Sequence, residues 1–406
     1  MERHIGIIGA GVAGLHLGLY LRRHGIDTTI VTDRTADQFS ASKLPNTVAH
    51  FAPTLERERQ LGIDHWADAR FHYTCHNYSF GGPARLEFRG GFARPNRAID
   101  YRIYLPCLMA DFEAQGGRIE IATIEAADLG QLSRRFDLLV VTSGRGALAN
   151  AFGRVVGESP HNRPQRKLLA GLFTGIRPTD PLGATLSASP GEGELIDLPI
   201  LTLGGMASAL LFENIPGGDL EVLARLPHAD NPSLFIATVL AKLEKHHPHV
   251  FDRIDNATFG LCGPNDVLQG AITPIVRQST LDLGEGKFAL AAGDVHCTVD
   301  PMLGQGANLA SHSARVIGEE IVKDAPFDAN FCERVDRRRL TRILGASRWT
   351  NLMLRPPSPE IMELVVAMSR SPSLCDEYTD NFGYPERQWM RFRSPENLRA
   401  WSGGHK

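Results

Sequence analysis

The sequence has no apolar run long enough to span a bilayer. Its longest uncharged apolar stretch, Leu198 to Phe212, has 15 residues and contains two glycines, whereas a transmembrane helix needs about 20. The six cysteines, at positions 75, 107, 262, 297, 332 and 375, contain no CxxC pair. The pattern therefore suggests neither a zinc site nor a redox dithiol, and no metal is expected. The cysteines read as reduced, small apolar side chains of a cytoplasmic protein. An excess of one charge is also missing: 43 Lys and Arg face 46 Asp and Glu, for a net charge of −3. Nothing electrostatic then favours nucleic acid or an acidic membrane as a partner. The opening MERHIGIIGAG lacks the apolar h-region and cleavage site of a signal peptide. Repeats and low-complexity tracts are absent. What remains is an ordinary globular composition over 406 residues, 43% hydrophobic and 22% charged, long enough for two or three structural units.

The strongest local signal is Gly9-Ala10-Gly11-Val12-Ala13-Gly14, which follows an apolar strand pattern and opens a helical one. Gly9 permits the tight turn, Gly11 lets the backbone approach a pyrophosphate, and Gly14 permits close packing of helix on strand. The helix N-terminus, starting beyond Gly11 and including Ala13, faces the phosphate charge. An acid is expected to end the second strand and hold the adenosine ribose. Thr32 occupies that place and Asp33 follows it, so the adenosine end falls to Thr32, Asp33 and Arg34 together. A second signal separates FAD from NAD. Gly293-Asp294 follows a strand pattern, and then come Pro301 and Gly304-Gln305-Gly306-Ala307-Asn308, opening a helix. This resembles the second FAD fingerprint of glutathione-reductase-like flavoproteins and aromatic hydroxylases. There the Asp holds the ribityl chain and the helix N-terminus points at the flavin pyrimidine, stabilising the anionic reduced ring. Arg102, at the start of another helical segment, reads either as a pyrophosphate contact or as a surface arginine.

The expected fold is α/β: a Rossmann-like FAD-binding domain of the aromatic-hydroxylase, glutathione-reductase-like type, with an inserted β-rich substrate domain and a helical C-terminal region. The FAD-binding domain is expected in three parts, 1–45, 97–164 and 271–325. A substrate-pocket segment spans 46–96, a β-rich substrate domain 165–270 and a helical region 326–406. Residues 35–96 are rich in aromatics and histidine and lack a helical period, so they read as irregular.

Two further absences bear on the reaction. Single-component hydroxylases of this fold carry an Asp-Gly motif after the central strand, but here that strand ends Thr142-Ser143-Gly144-Arg145. No second GxGxxG exists for a nicotinamide nucleotide, which places flavin reduction elsewhere. The WxWxIP signature of flavin-dependent halogenases is missing too.

Over essentially its whole length the sequence resembles the oxygenase components of the styrene and indole monooxygenase family. The resemblance rests on GIIGAGVAGLHLGLYLR at the start, NTVAH at 46–50, GGPARLEF at 81–88, VDPMLGQGAN at 299–308 and TDNFGYPERQW at 379–389. It implies a two-component enzyme: a separate NADH-dependent flavin reductase supplies reduced FAD, and O2 converts it to a flavin C4a-hydroperoxide. Attack by the alkene π bond then gives an epoxide, the S enantiomer in the case of styrene. It also implies Asn46 and Thr47 as catalytic residues and Leu44, Val48, His50, Tyr73, His76 and Asn96 as the substrate pocket. At six of these positions styrene-type members carry Asn, Val, His, Tyr, His and Ser. The sequence matches five of the six, departing at Asn96. Lys43 stands in a cofactor position where the resemblance implies arginine, keeping the charge but losing the bidentate fork.

Blander readings stay open. His50 and His76 suit structural histidines, Tyr73 suits core packing, and Asn46-Thr47 suit a turn. Arg334, Arg337, Arg338, Arg339 and Arg342 read as a solvated face or as a reductase-docking surface. The competing functions are an indole monooxygenase, a self-sufficient NAD(P)H-dependent hydroxylase and a non-catalytic flavin-binding protein. A homodimer is compatible with the sequence but not required by it.

Overall fold

The computed structural model describes residues 3–81, 85–143, 146–323 and 326–404. Two sheets organise the chain. The first has six strands in the order Thr280–Gly284, Lys287–Ala291, Leu138–Val141, His4–Ile8, Asp27–Thr32 and Arg118–Ile121. All its pairings are parallel except that of Thr280–Gly284 with Lys287–Ala291. Leu138–Val141 is buried on both faces, as a central parallel strand must be. Helix Val12–Arg23 is buried from Val12 to Leu21, because it lies between the sheet and helices Tyr101–Ala114 and Gly306–Lys323. It ends at Gly25, whose φ of +71° favours glycine.

The second sheet is mainly antiparallel and has nine strands. Lys167–Thr174, Gly183–Ser189, Gly193–Thr202 and Gly205–Asn214 come from the segment read as β-rich. His72–Phe80 pairs parallel with Gly183–Ser189 and antiparallel with Leu86–Ala98. The pocket segment and the β-rich segment therefore build one sheet together.

This corrects the reading of 35–96 as irregular. Besides those two long strands the stretch contains helix Ala52–Leu61. Its period was hidden because polar residues occupy the buried positions. Thr54 and Glu58 are fully buried in the helix. In strand Leu86–Ala98, Gly90 and Gly91 imitate a turn signal, yet they serve close approach. A Cβ on Gly90 would lie 2.1 Å from Thr379 Oγ1 of helix Pro372–Asp380. A second departure is helix Pro232–His246 inside the β-rich stretch. Its Phe235, Val239 and Leu243 cover one face of the sheet against Leu169, Phe173, Leu210 and Phe212.

The described residues of 326–406 are helical, as expected, and continue through Pro385–Phe392 and Pro395–Gly403. Among the described residues no helix is long and apolar enough to cross a membrane. The acid is missing before Gly144, where Ser143 stands; Gly144-Arg145 and Gly82 to Ala84 lie outside the described residues.

Candidate flavin and substrate site

The nucleotide cradle is built from backbone. Gly9 has φ +111°, and a Cβ there would meet Ser143 N at 2.8 Å. On Gly14 a Cβ would lie 2.0 Å from Gly9 O, so the helix packs on the turn only if residue 14 is glycine. At Gly11 a Cβ would meet nothing within 4 Å, leaving the turn open to a ligand. No side chain caps this helix and its first turn holds no acid, so its leading N–H groups suit a phosphate. Thr142 Oγ1 secures the turn by donating to Ile8 O and Gly9 O at 3.0 and 2.9 Å.

The two glycine motifs, far apart in sequence, meet here. Gly293, with φ +59°, comes so close to the first helix that a Cβ would be 3.3 Å from Ala13 Cβ. Asp294 follows, exposed, on the short 3-10 turn Gly293–Val295. Pro301–Leu303 forms a second such turn, capped by Asp300 and ended by Gly304 at φ +63°. Helix Gly306–Lys323 then begins, with Gly306 and Ala307 partly exposed and no acid in its first turn. These residues fit a dinucleotide with an anionic ring: open glycines at 11 and 306, two helix N-termini and no opposing carboxylate in either first turn.

At the adenosine end Thr32 is buried, whereas Asp33 is exposed and paired with Arg34 at 3.7 Å. Lys43 is exposed. Arg102 is neither a surface arginine nor free for a phosphate: it is buried and ion-paired with Asp100 and with Asp266, the latter at 2.6 Å. The Asn308 side chain is likewise spent within the protein. It accepts from Phe51 N and Thr54 Oγ1 and donates to Ala49 O and Gly304 O, bolting the second motif to the pocket segment.

Against Pro301–Gly304 lies a small pocket lined also by Thr47, Ala49, Phe51, Tyr73, His76 and Phe382, with Ala184, Leu186, Ile196, Leu198, Ala209 and Leu211 from the sheet. Thr47, Tyr73 and His76 of the expected set are thus brought together. His76 is packed edge-on against Phe92 and Phe382. Burial lowers its pKa to about 3, so the ring is neutral. Burial likewise raises the Tyr73 phenol above its ordinary range. Three buried polar atoms here have no protein partner: Asn46 Oδ1, Tyr73 Oη and Asn96 Nδ2. Asn96 sits opposite Tyr73 in the hairpin and its Oδ1 accepts from Ala52 N at 2.7 Å. Unpaired polar atoms are costly in an interior; of the three, Tyr73 lines the pocket, whereas Asn46 and Asn96 are not among its lining residues.

His50, Val48 and Leu44 are not among the residues lining this pocket. Val48 packs on the nucleotide-domain core and Leu44 on the substrate-side core. His50 is fully buried in a polar network, with Nδ1 2.6 Å from Glu58 Oε1 and Nε2 2.8 Å from Tyr101 Oη. Glu58 also accepts from Tyr104 at 2.8 Å and pairs with Arg97. Burial pushes the Glu58 carboxyl up, but His50 and Arg97 outweigh it and hold it down at about 2. His50 thus has a carboxylate and a phenol as its side-chain partners.

The comparisons with known proteins follow this geometry. The model of the FAD binding domain matches residues 2–74, and that of the styrene monooxygenase A substrate binding domain matches 144–253. Styrene monooxygenase StyA of Pseudomonas fluorescens is 47% identical over 405 residues, covering 99% of this chain and 98% of that one. StyA of a second Pseudomonas species is equally similar. The chain belongs to the styrene monooxygenase StyA family. It is an FAD-dependent monooxygenase, as the cradle indicates. Among solved structures, PqsL of Pseudomonas aeruginosa has a TM-score of 0.64 at 13% identity, covering 87% of this chain and 96% of that one. A flavoprotein of Cytophaga hutchinsonii has 0.63 at 14%, covering 99% and 98%. At such identities the likeness is one of fold, and it is the expected aromatic-hydroxylase type.

Several residues of this chain escaped sequence reasoning. Glu58 lies in a helix whose polar pattern looks solvated. Phe382 comes from the 379–389 segment, which marked the family without suggesting a place. It lines the pocket, and its carbonyl accepts from Gln305 Nε2 at 3.1 Å. The arginine run is not one solvated face. Arg339 is fully buried and donates to Ala291 O at 2.6 Å, and Arg342 bonds Glu386 and Gly383 O. Arg338 pairs with Glu319 and Glu320. Of the five, Arg337 and Arg338 are exposed.

Proposed function

We propose that this chain is the oxygenase component of a two-component system, epoxidising styrene or a related aryl alkene with reduced FAD from a separate NADH-dependent flavin reductase. One observation carries the substrate class: no residue lining the pocket bears a formal charge, and His76 is held neutral by burial. A phenol or acid would call for a base or a cation there, whereas a neutral alkene calls for apolar walls. Bound reduced FAD supplies, with O2, the electrophilic oxygen. The chain's own residues orient and shield. The Gly11 and Gly306 helix ends hold the anionic groups of the cofactor. Phe51, Phe382 and the sheet leucines exclude water, which protects the reactive oxygen from release as peroxide. Asn46 and Thr47 stand beside the cofactor position as the proposed polar contacts to the reacting region, with Tyr73 and Asn96 offering unpaired groups toward the same space. Leu44, Val48 and His50 then act indirectly, by shaping the segment that carries Asn46 and Thr47. We place the division between cofactor and substrate units at the segment ends given by sequence, with 46–96 and 165–270 forming one substrate unit through their shared sheet.

The test is direct. Purified chain, chemically reduced FAD, O2 and styrene are mixed without reductase or NADH, and products are separated on a chiral column. Styrene oxide, mainly S, is expected. Oxidation of indole without styrene oxide would transfer the assignment to the indole branch. NADH consumption by the chain alone would overturn the two-component reading.

A further inference from the structure

Beyond the pocket lies a second, much larger cavity of about 930 Å3, whereas the pocket itself encloses only about 40 Å3. The difference decides what each can hold. A void needs roughly 10–15 Å3 for one water molecule, so the pocket holds a few waters and has to widen, at its Met302–Leu303 wall, to take a styrene-sized molecule. The cavity falls in the range of about 300–1,000 Å3 typical of small-molecule sites. The two adjoin, sharing Leu186, Ile196, Met302 and Leu303 as walls. Met302 and Leu303 belong to the 3-10 turn between Asp300 and Gly304, so the partition is made of the cofactor motif itself. The inner walls are buried and apolar, with Val365, Met368 and Phe392 from the C-terminal helices. On the outer side Arg355, Pro356 and Met362 are exposed, giving the cavity a way to solvent. The lining also carries charge: buried Arg166 is held by Glu194 in a two-pronged ion pair at 2.7 and 2.9 Å, and Arg163, Lys167 and Arg355 join it.

We propose that this cavity is an antechamber for the neutral aryl alkene, which passes from it into the flavin-side pocket across the Met302–Leu303 partition. The proposal rests on the aryl-alkene reading above. It assigns a binding role to the C-terminal helices, which otherwise only cover the sheet. The apolar inner wall of Val365, Met368 and Phe392 concentrates a sparingly soluble hydrocarbon next to the site.

The test fills the chamber from the side remote from the cofactor. Val365→Trp places an indole ring in it, and Val365→Leu, which adds a single methylene, serves as the small-step control. Three quantities are read: kcat/KM for styrene with reduced FAD supplied, anaerobic affinity for reduced FAD, and calorimetric binding of naphthalene to flavin-free protein. For Val365→Trp, kcat/KM should fall about 10-fold, mainly through KM, and naphthalene binding should be lost, with FAD affinity and far-UV circular dichroism unchanged. Val365→Leu should behave as wild type. Unchanged kcat/KM and naphthalene binding in a folded Val365→Trp variant would overturn the antechamber. If that variant fails to fold, Met368→Trp repeats the test from the neighbouring turn. The naphthalene measurement does not depend on turnover. Should wild type epoxidise nothing yet bind naphthalene in a Val365-dependent way, the substrate assignment falls and the chamber stands.

Discussion

The nucleotide half and the substrate half of this chain solve their binding problems in opposite ways. In the first, function is written in backbone: glycines at 9, 11, 14, 293 and 304 clear space or adopt left-handed angles, and two helix N-termini without acid in their first turns supply the charge complement. In the second, function is written in side chains that meet from strand His72–Phe80, the rest of its sheet, the segment Thr47–Phe51 and the C-terminal 3-10 turn Asn381–Gly383. A backbone site tolerates little substitution but shows in the sequence. A side-chain site assembled from distant segments tolerates more and shows far less.

The glycines offer the strongest way to break this contrast. Gly14→Val puts atoms where Gly9 O already lies 2.0 Å from a Cβ, so it should abolish FAD binding and collapse the melting temperature. Gly11→Ala points into open space and should leave the fold intact, while weakening FAD at least about 10-fold, or 1.4 kcal/mol. Anaerobic titration with reduced FAD beside thermal melts distinguishes the two. Wild-type FAD affinity in Gly11→Ala would mean that the turn is not a cradle.

Next in size is the buried network beneath the substrate segment. Glu58→Gln leaves Arg97 and His50 without their carboxylate. Removing one partner of a buried ion pair costs about 3–5 kcal/mol, read by urea denaturation. The styrene-to-indole ratio should not move, because no member of the network lines the pocket. A changed ratio with unchanged stability would make His50 a substrate contact after all.

Acid stability follows from the buried histidines. Burial holds His16, His76 and His247 at about 3, below the ordinary 6.5. Their folded pKa is depressed, so the unfolded chain takes up protons that the native one refuses. The stability they contribute is complete above pH 6.5 and is lost as pH falls toward 3. Each refused proton adds a slope of up to about 1.4 kcal/mol per pH unit. His76→Phe should flatten the stability–pH profile by one such step, and an unaltered slope would show that His76 already titrates normally.

The smallest expected change is in stability on Tyr73→Phe. The hydroxyl has no protein partner, so its removal should be neutral or should stabilise by up to ~1 kcal/mol. If it meets the ligand, kcat/KM should fall several-fold while the melting temperature holds. Loss of stability without loss of activity would return Tyr73 to the core.

The fold class, the FAD cofactor and the family were all legible in sequence, because glycine spacing and buried strand runs are local and their physics is nearly context-free. Phe382 and Glu58 were not. Phe382 reaches the pocket only because helix Pro372–Asp380 crosses the Gly90-Gly91 strand, and Glu58 is buried only because Arg97 and His50 arrive from other segments to neutralise it. Arg102 was open between two readings, and the structure chose a third by bringing Asp266 to it across 164 positions of chain. The sequence by itself determined where a phosphate and an anionic ring can be held, since helix ends and glycine turns carry that information within a few residues. Only the tertiary structure decided which side chains face the substrate and which lie behind it, since that depends on packing between strands and helices that no local pattern encodes.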